Sequence, residues 1–346
     1  MHGHDVTEQK LASSGLLAAE PLACQSRGGL IESVHVGHLL IKNTAGQHLF
    51  CRGNPSAMVF ARSALKPLQA LPLWLTGAAR RWGLDGAALA ITLSSHSGED
   101  VHVAAVNELL ARSGLEAHRL QCGVHTPYHS QVAKDLIRRG EAPGVLRCNC
   151  SGKHAGMLAV CAHMGWCLDT YRDSEHPLQR MIRDLLLQLA DVASEQLSFA
   201  IDGCGVPVWH LPLEGLATFA ARLAAPETIP GALGMALSDV SQLMADHPYL
   251  IAGEGRLDTD LMQTDGQRFF AKIGGEAVHL GGVRGRGIGW AIKVNDGQNR
   301  AIAPALNRAL EKVGEAPTSS DAFEKHVAAR VTNNRAEVVG YLAAAF

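Results

Sequence analysis

Segments with the two-residue alternation of a strand sit at both ends of this chain, and segments with helical spacing fill the span between them. Near the start, residues 30–36 (LIESVHV) alternate, and 39–42 and 48–51 flank a turn at Asn43-Thr44-Ala45-Gly46. Near the end, 269–272, 276–280, 287–294 and 337–342 read as strands, with a helix over 304–313. In the middle, a helix is expected to start near Ser63 and run through Leu65, Leu68, Leu71 and Leu75, with Pro72 predicting a kink or a break. Further helices are expected at 99–113, 130–139, 152–164, 176–192 and 231–245. Strands and helices do not take turns, as a doubly wound sheet requires. The order predicts an α+β fold whose antiparallel sheet is built from N- and C-terminal strands, with a helical insertion over about 63–265. Residues 1–20 read as an N-terminal extension and 21–346 as a single domain, because no repeat and no low-complexity linker divides them.

Composition removes several functions. The chain has 346 residues, 47% hydrophobic and 18% charged, too apolar for a disordered protein. With 31 Lys+Arg against 33 Asp+Glu, it carries no basic footprint for nucleic acid. No window approaches the roughly 20 apolar residues of a membrane helix. The first thirty residues lack the apolar core of an export signal. The expectation is a cytoplasmic protein that binds neither nucleic acid nor membrane. Its eight cysteines are then expected to be reduced, most of them as small buried hydrophobes.

Four constellations carry potential chemistry. In Ser63-Ala64-Leu65-Lys66 the hydroxyl and the amine are one helical turn apart, so a buried, uncharged lysine can act as a base toward the serine. The same residues also read as an N-cap followed by a solvated lysine. Ser94-Ser95-His96-Ser97-Gly98-Glu99 follows an apolar run, as loops that line sites do, and also reads as a helix cap. Cys148-Asn149-Cys150-Ser151-Gly152-Lys153-His154, with Asp202-Gly203-Cys204-Gly205 downstream, offers thiolates for a metal, although C-x-C with one distant Cys is no zinc-finger spacing and buried free thiols fit as well. Lys272-Ile273-Gly274-Gly275 places a lysine at a strand end beside a backbone that a substrate can approach closely; an edge lysine before a hairpin has the same look. The glycine cluster GGVRGRGIG (281–289) fails as a dinucleotide fingerprint because a strand follows it. Ser-Gly-Lys likewise lacks the rest of a phosphate loop.

Taken together, S-x-x-K at a helix start, a serine-bearing turn after it and K-x-G-G near the C-terminal strands stand in the order of serine β-lactamases and penicillin-binding proteins. A narrower resemblance is carried by SRGGLIESVHVG, RSALKP, SSHSGE, CNCSGKHAGML, DGCGVP and FFAKIGGEAV. These segments resemble the Rhizobium-type L-asparaginases, the class 3 or asparaginase II family, from about Ser26 to Val294. The resemblance implies a serine β-lactamase-like fold, a homodimer, and hydrolysis of the side-chain amide of L-asparagine to L-aspartate and ammonia. It also implies two Ser–Lys tandems, Ser63–Lys66 and Ser95–Lys272. A zinc ion held by Cys150, Lys153 and Cys204 is implied too, with no organic cofactor; a lysine ligand must bind neutral.

The mechanism expected from this has neutral Lys66 take the proton of Ser63, whose oxygen attacks the amide, while cationic Lys272 keeps Lys66 uncharged. Backbone N–H groups near Ser63 and Gly274 are expected to hold the oxyanion, and Ser95 with Lys272 to pass a proton to the departing ammonia. Asp202 is expected to accept the substrate ammonium, and Arg62 or His154 to hold its carboxylate. Two other classes remain open: a glutaminase or β-lactam-recognising enzyme on the same fold, since one methylene is a weak discriminator, and a non-catalytic zinc- or amino-acid-binding module.

Overall fold

The two ends of the chain meet in one sheet. The computed structural model describes residues 8–346. In it, β1 (Glu20–Arg27), β2 (Leu30–Asn43) and β3 (His48–Arg52) come from the start, and β7 (Phe269–Gly274), β8 (Val278–Val283), β9 (Ile288–Val294), β10 (Arg330–Thr332) and β11 (Val338–Ala344) from the end. They pair antiparallel in the order β10-β11-β1-β2-β9-β8-β7, with β3 also on β2. β2 is the spine. Its first half pairs with β1, its second half with β3, and its other edge with β9 in the register Leu40↔Ala291. Leu39, Leu40 and Ile41 are all buried, so both faces are covered here.

The outer half of β2 departs from the expected alternation. Val34 and Val36 face solvent, Leu30 and Ile31 are more exposed still, and it is His35 that turns inward. Its imidazole lies 2.5 Å from Asp296 and accepts a hydrogen bond from Arg300, which supplies the partners a buried polar ring requires.

The expected helix from Ser63 is broken into single turns, Arg62–Leu65, Lys66–Gln69 and Pro72–Leu75, because Pro67 and Pro72 each remove a helical N–H. The other expected helices stand within a few residues of their predicted ends. Among them are α1 (Asp100–Arg112), α2 (Ser151–Met164) and α3 (Pro177–Ala190). Sequence spacing did not indicate the small sheet of β4 (Met58–Phe60), β5 (Ser198–Ile201) and β6 (Pro207–Pro212), ordered β4-β6-β5. It also missed α4 (Leu213–Ala224) and α5 (Leu257–Thr264). The first seven residues of the expected extension lie outside the described residues. Its remainder holds a short helix, Glu8–Ser13, and is tied to the body by Met58 N–H on Ser14 O at 2.8 Å and Asn295 Nδ2 on Leu16 O at 2.8 Å.

Helix α4 seals β2, β8 and β9. It approaches so closely that a Cβ on Gly289 would fall inside contact distance of the Ala221 backbone nitrogen, and one on Gly282 would stand 2.9 Å from the Ala224 methyl. Gly289→Ala is therefore expected to push α4 off the sheet at a cost of about 1–3 kcal/mol. A melt of the purified variant, several degrees below wild type, is the result this packing requires.

Candidate active site

The sheet ends on its working edge. Among the described residues β7 pairs only with β8, and no strand of theirs bonds its outer edge. On that edge the Ile273 N–H donates to Asp258 Oδ2 at 2.8 Å. Opposite it, the chain turns sharply out of β4: Arg62 adopts φ +48°, a left-handed conformation uncommon outside glycine, and delivers Ser63 at the start of the next helical turn. Gly274 makes the close approach possible, since a Cβ there would come within 3.0–3.1 Å of Ala61 O, Ala64 N and Arg62 Cβ. The third wall is the 94–98 loop. Its Ser95 N–H donates to Ile251 O at 2.9 Å and its Ser97 hydroxyl to Ala252 O at 2.8 Å.

A cavity of about 380 Å³ opens between these walls, lined by Ser63, Ser95, Tyr128, Asn149, Arg256, Ile273, Gly274, Gly275 and Asn299. Both serines of the expected tandems thus face one space. Both lysines, fully buried, converge on one of them. Lys66 Nζ lies 3.0 Å from Ser95 Oγ and also donates to Ser94 O at 2.5 Å and Asn149 O at 3.0 Å. Lys272 Nζ lies 2.8 Å from Ser95 Oγ and 2.9 Å from Ile273 O. The Ser63 hydroxyl has no hydrogen-bond partner among the described residues, so Lys66 is bonded to the second serine and not to the one in its own S-x-x-K.

The amine that its surroundings bring near neutrality is Lys272, where the sequence reading had placed the cation. Burial lowers it to about 7, aided by the charges of Lys66 and Arg256, while Asp258 opposes the shift. Asp258 is itself buried, with Oδ2 4.0 Å from Lys272 Nζ. Burial alone would raise its carboxyl, but the hydrogen bond from His279 at 3.1 Å and the Lys272 charge hold it at about 2. The His279 tautomer follows from its other nitrogen. Trp290 Nε1–H can only donate, and it donates to His279 Nδ1 at 3.1 Å, so Nε2 carries the proton given to Asp258.

Behind Asn149 lies the expected metal set. Cys150, Lys153 and Cys204 are all buried. Lys153 Nζ donates to Cys204 Sγ at 3.0 Å, and the Cys204 thiol faces Asp202 Oδ2 at 3.4 Å. The Cys204 hydrogen bond pulls the Cys150 thiol well below its ordinary range, and the nearby charges of Lys66 and Lys153 add to this. Burial works against the Lys153 ammonium, but the two sulfurs and Asp202 hold it charged. Donors around one tetrahedral ion with sulfur and nitrogen ligands stand roughly 3.5 Å apart. The Lys153–Cys204 spacing is close to that, Lys153 would have to give up its proton to bind, and two sulfurs with an amine suit a borderline-soft divalent cation. A second group, Glu99, His129 and Glu254, brings its donor atoms within 4.8 Å of one another at the rim. Its members already bond internally and to Tyr249.

None of the three residues expected to bind substrate, Arg62, His154 and Asp202, lines the cavity. Arg62 Nε donates to Asp202 Oδ1 at 2.7 Å, so the groups assigned to opposite ends of the substrate are bonded to each other. His154 is fully buried, with Nδ1 2.6 Å from the Tyr171 hydroxyl, and does not line the cavity. Four cavity residues escaped the sequence reading: Tyr128, Asn149, Arg256 and Asn299. Arg256 and Asp258 share the segment GEGRLDT, in which a glycine turn runs into a charged helix start, and that was the available signal.

A family model described as L-asparaginase II matches residues 23–344. No curated protein matches the chain. Among solved structures, Mglu in its native form aligns at TM-score 0.37 and 14% identity over 82% of this chain and 62% of that one. A β-lactamase from Mycobacterium bovis aligns at TM-score 0.41 and 12% identity over 88% and 96%. The chain therefore spans less than two thirds of the length of Mglu.

Proposed function

The chain belongs to the L-asparaginase II family, and from that membership and the Ser–Lys cavity we propose that it hydrolyses the side-chain amide of L-asparagine to L-aspartate and ammonia. The observation that carries the reading is the convergence of two buried lysines on one hydroxyl at the wall of a cavity that a second, unbonded serine shares. A binding module has no use for a lysine brought to about 7.

The roles follow from which lone pairs are free. Ser95 Oγ is held by the Lys66 ammonium and turns its own O–H to neutral Lys272, whereas the Ser63 hydroxyl has no partner among the described residues and its lone pairs are open to the cavity. Ser63 attacks the amide carbonyl. With substrate bound, its proton passes across the shared cavity to Ser95 through one water, and Ser95 releases its own to neutral Lys272. Lys66 fixes Ser95 against the Ser94 and Asn149 carbonyls. The exposed edge of β7 around Gly274 and Gly275 faces the carbonyl oxygen and offers backbone N–H groups to the developing oxyanion. The proton on Lys272 returns through Ser95 to the departing ammonia, and water then frees aspartate from Ser63.

Zinc is the metal we assign to Cys150, Lys153 and Cys204. When bound, it supplies positive charge beside Asn149, at the cavity's inner wall. Elemental analysis of purified protein is expected to find one zinc per chain, and Cys150→Ser to lose it. Protein that is active yet free of stoichiometric zinc rejects this assignment. A homodimer is supported by the exposed apolar side chains of β2, Leu30, Ile31, Val34 and Val36. A cytoplasmic setting is supported by eight free thiols. No helix among the described residues is long and apolar enough to cross a membrane.

Ammonia release from L-asparagine and L-glutamine, with the colour change of a chromogenic β-lactam read separately, tests the activity. Asparagine is expected to be the best substrate by kcat/KM. A protein that turns over only glutamine or only the β-lactam belongs to the competing reading, and one that turns over none of the three is not this enzyme.

A further inference from the structure

The cavity that holds the two serines has one wall residue with a fixed charge, and the mechanism does not use it. Arg256 lines the cavity together with Ser63 and Ser95. Among the described residues no carboxylate pairs with it. Its side-chain contacts are Ser97 Oγ at 3.5 Å and the face of the Tyr128 ring at 5.3 Å. The neighbouring Arg62 does not line the cavity and is paired with Asp202. Resting on the amidohydrolase reading, we propose that Arg256 is the anchor for the α-carboxylate of the amino-acid substrate.

The anchor is held in fixed relation to the chemistry. Arg256 ends the 251–256 segment, and that segment is stitched to the serine loop by Ser95 N–H on Ile251 O and by Ser97 Oγ–H on Ala252 O. Gly253, at φ +120°, lets the two strands of loop touch, since a Cβ there would stand 2.6 Å from Ser97 Oγ and 2.7 Å from Glu99 Oε1. Stacking on Tyr128 restrains the guanidinium plane and leaves its N–H edges available. A planar fork with no protein acid to satisfy it matches a carboxylate in both charge and geometry. The substrate class follows. Free amino acids that carry a side-chain amide fit, whereas an amide that lacks the α-carboxylate forfeits this contact.

The test compares L-asparagine with β-alaninamide, which keeps the amine and the amide but has hydrogen in place of the α-carboxylate. Arg256→Met retains the length of the side chain and its packing on Tyr128 but removes the charge. Arg256→Met is expected to lose about 10- to 100-fold in kcat/KM on L-asparagine, mostly through KM, and under threefold on β-alaninamide. Arg256→Lys is expected to recover part of the loss. L-Aspartate, titrated into each protein by calorimetry, is expected to weaken in the Met variant to match. Equal losses on both substrates, or none on asparagine, overturn the anchor while the asparaginase reading survives. A wild-type protein inert toward L-asparagine overturns the reading itself and the anchor with it.

Discussion

Ser63→Ala is expected to cut ammonia release from L-asparagine by at least about 10⁴-fold, with zinc content and melting temperature close to wild type. The hydroxyl makes no hydrogen bond among the described residues, and an alanine leaves Arg62, Gly274 and the 61–64 turn in place, so the loss reads chemistry and not folding. Ser95→Ala removes the bridge between both amines and the cavity, and a loss of about 10²–10⁴-fold is expected from interrupted proton transfer. The two variants separate attack from relay only if the covalent step is also followed. An electrophilic asparagine analogue such as 5-diazo-4-oxo-L-norvaline is expected to label the peptide that carries Ser63, and still to label it slowly in Ser95→Ala. Label found on Ser95, with Ser63→Ala within tenfold of wild type, reverses the assignment and makes the hydroxyl between the two lysines the nucleophile.

That question shows where the sequence is readable and where it is not. The strand–helix–strand order placed the sheet's origin at both chain ends because strand and helix preferences are local properties; α1 keeps its helical spacing, while β2 and β9 are strands that run buried on both faces over much of their length. The four Ser and Lys positions were legible because S-x-x-K, the serine loop and K-x-G-G each occupy a structural junction. Pairing was not legible. Lys66 is one turn from Ser63 in the chain, yet its amine extends to Ser95 and to two backbone carbonyls, because Pro67 ends the first turn and buried carbonyls at Ser94 and Asn149 need donors. Nor can a pattern of residues show that Asp202 is already occupied by Arg62, or that Trp290, distant from Asp258 in the chain, orients His279 toward it. Helix α4 was missed for a related reason. Leu213, Leu216, Phe219, Ala220 and Leu223 do recur at helical spacing, but nothing local shows which strands they cover; the small residues on the facing strands do. Local spacing names the reactive groups, and long-range packing decides which of them touch.

The pH profile tests that packing, because it tracks which amine is the base. If neutral Lys272 accepts the proton relayed from Ser63, kcat/KM falls as pH drops through about 7, where this amine becomes an ammonium, and levels off above it. The sign of the second variant follows from the chain of partners behind it. Asp258 carries the negative charge that favours the ammonium, so Asp258→Asn is expected to move the acid limb to lower pH while reducing the plateau, since the amide holds Ile273 N–H and His279 less well. Lys272→Met is expected to lose about 10²–10⁴-fold and to abolish the limb near 7 altogether. A wild-type profile flat between pH 6 and 8, or a limb that stays at 7 in Lys272→Met, places the base elsewhere. Among the described residues Lys66 is the other amine on Ser95, and it is then the next candidate for the base.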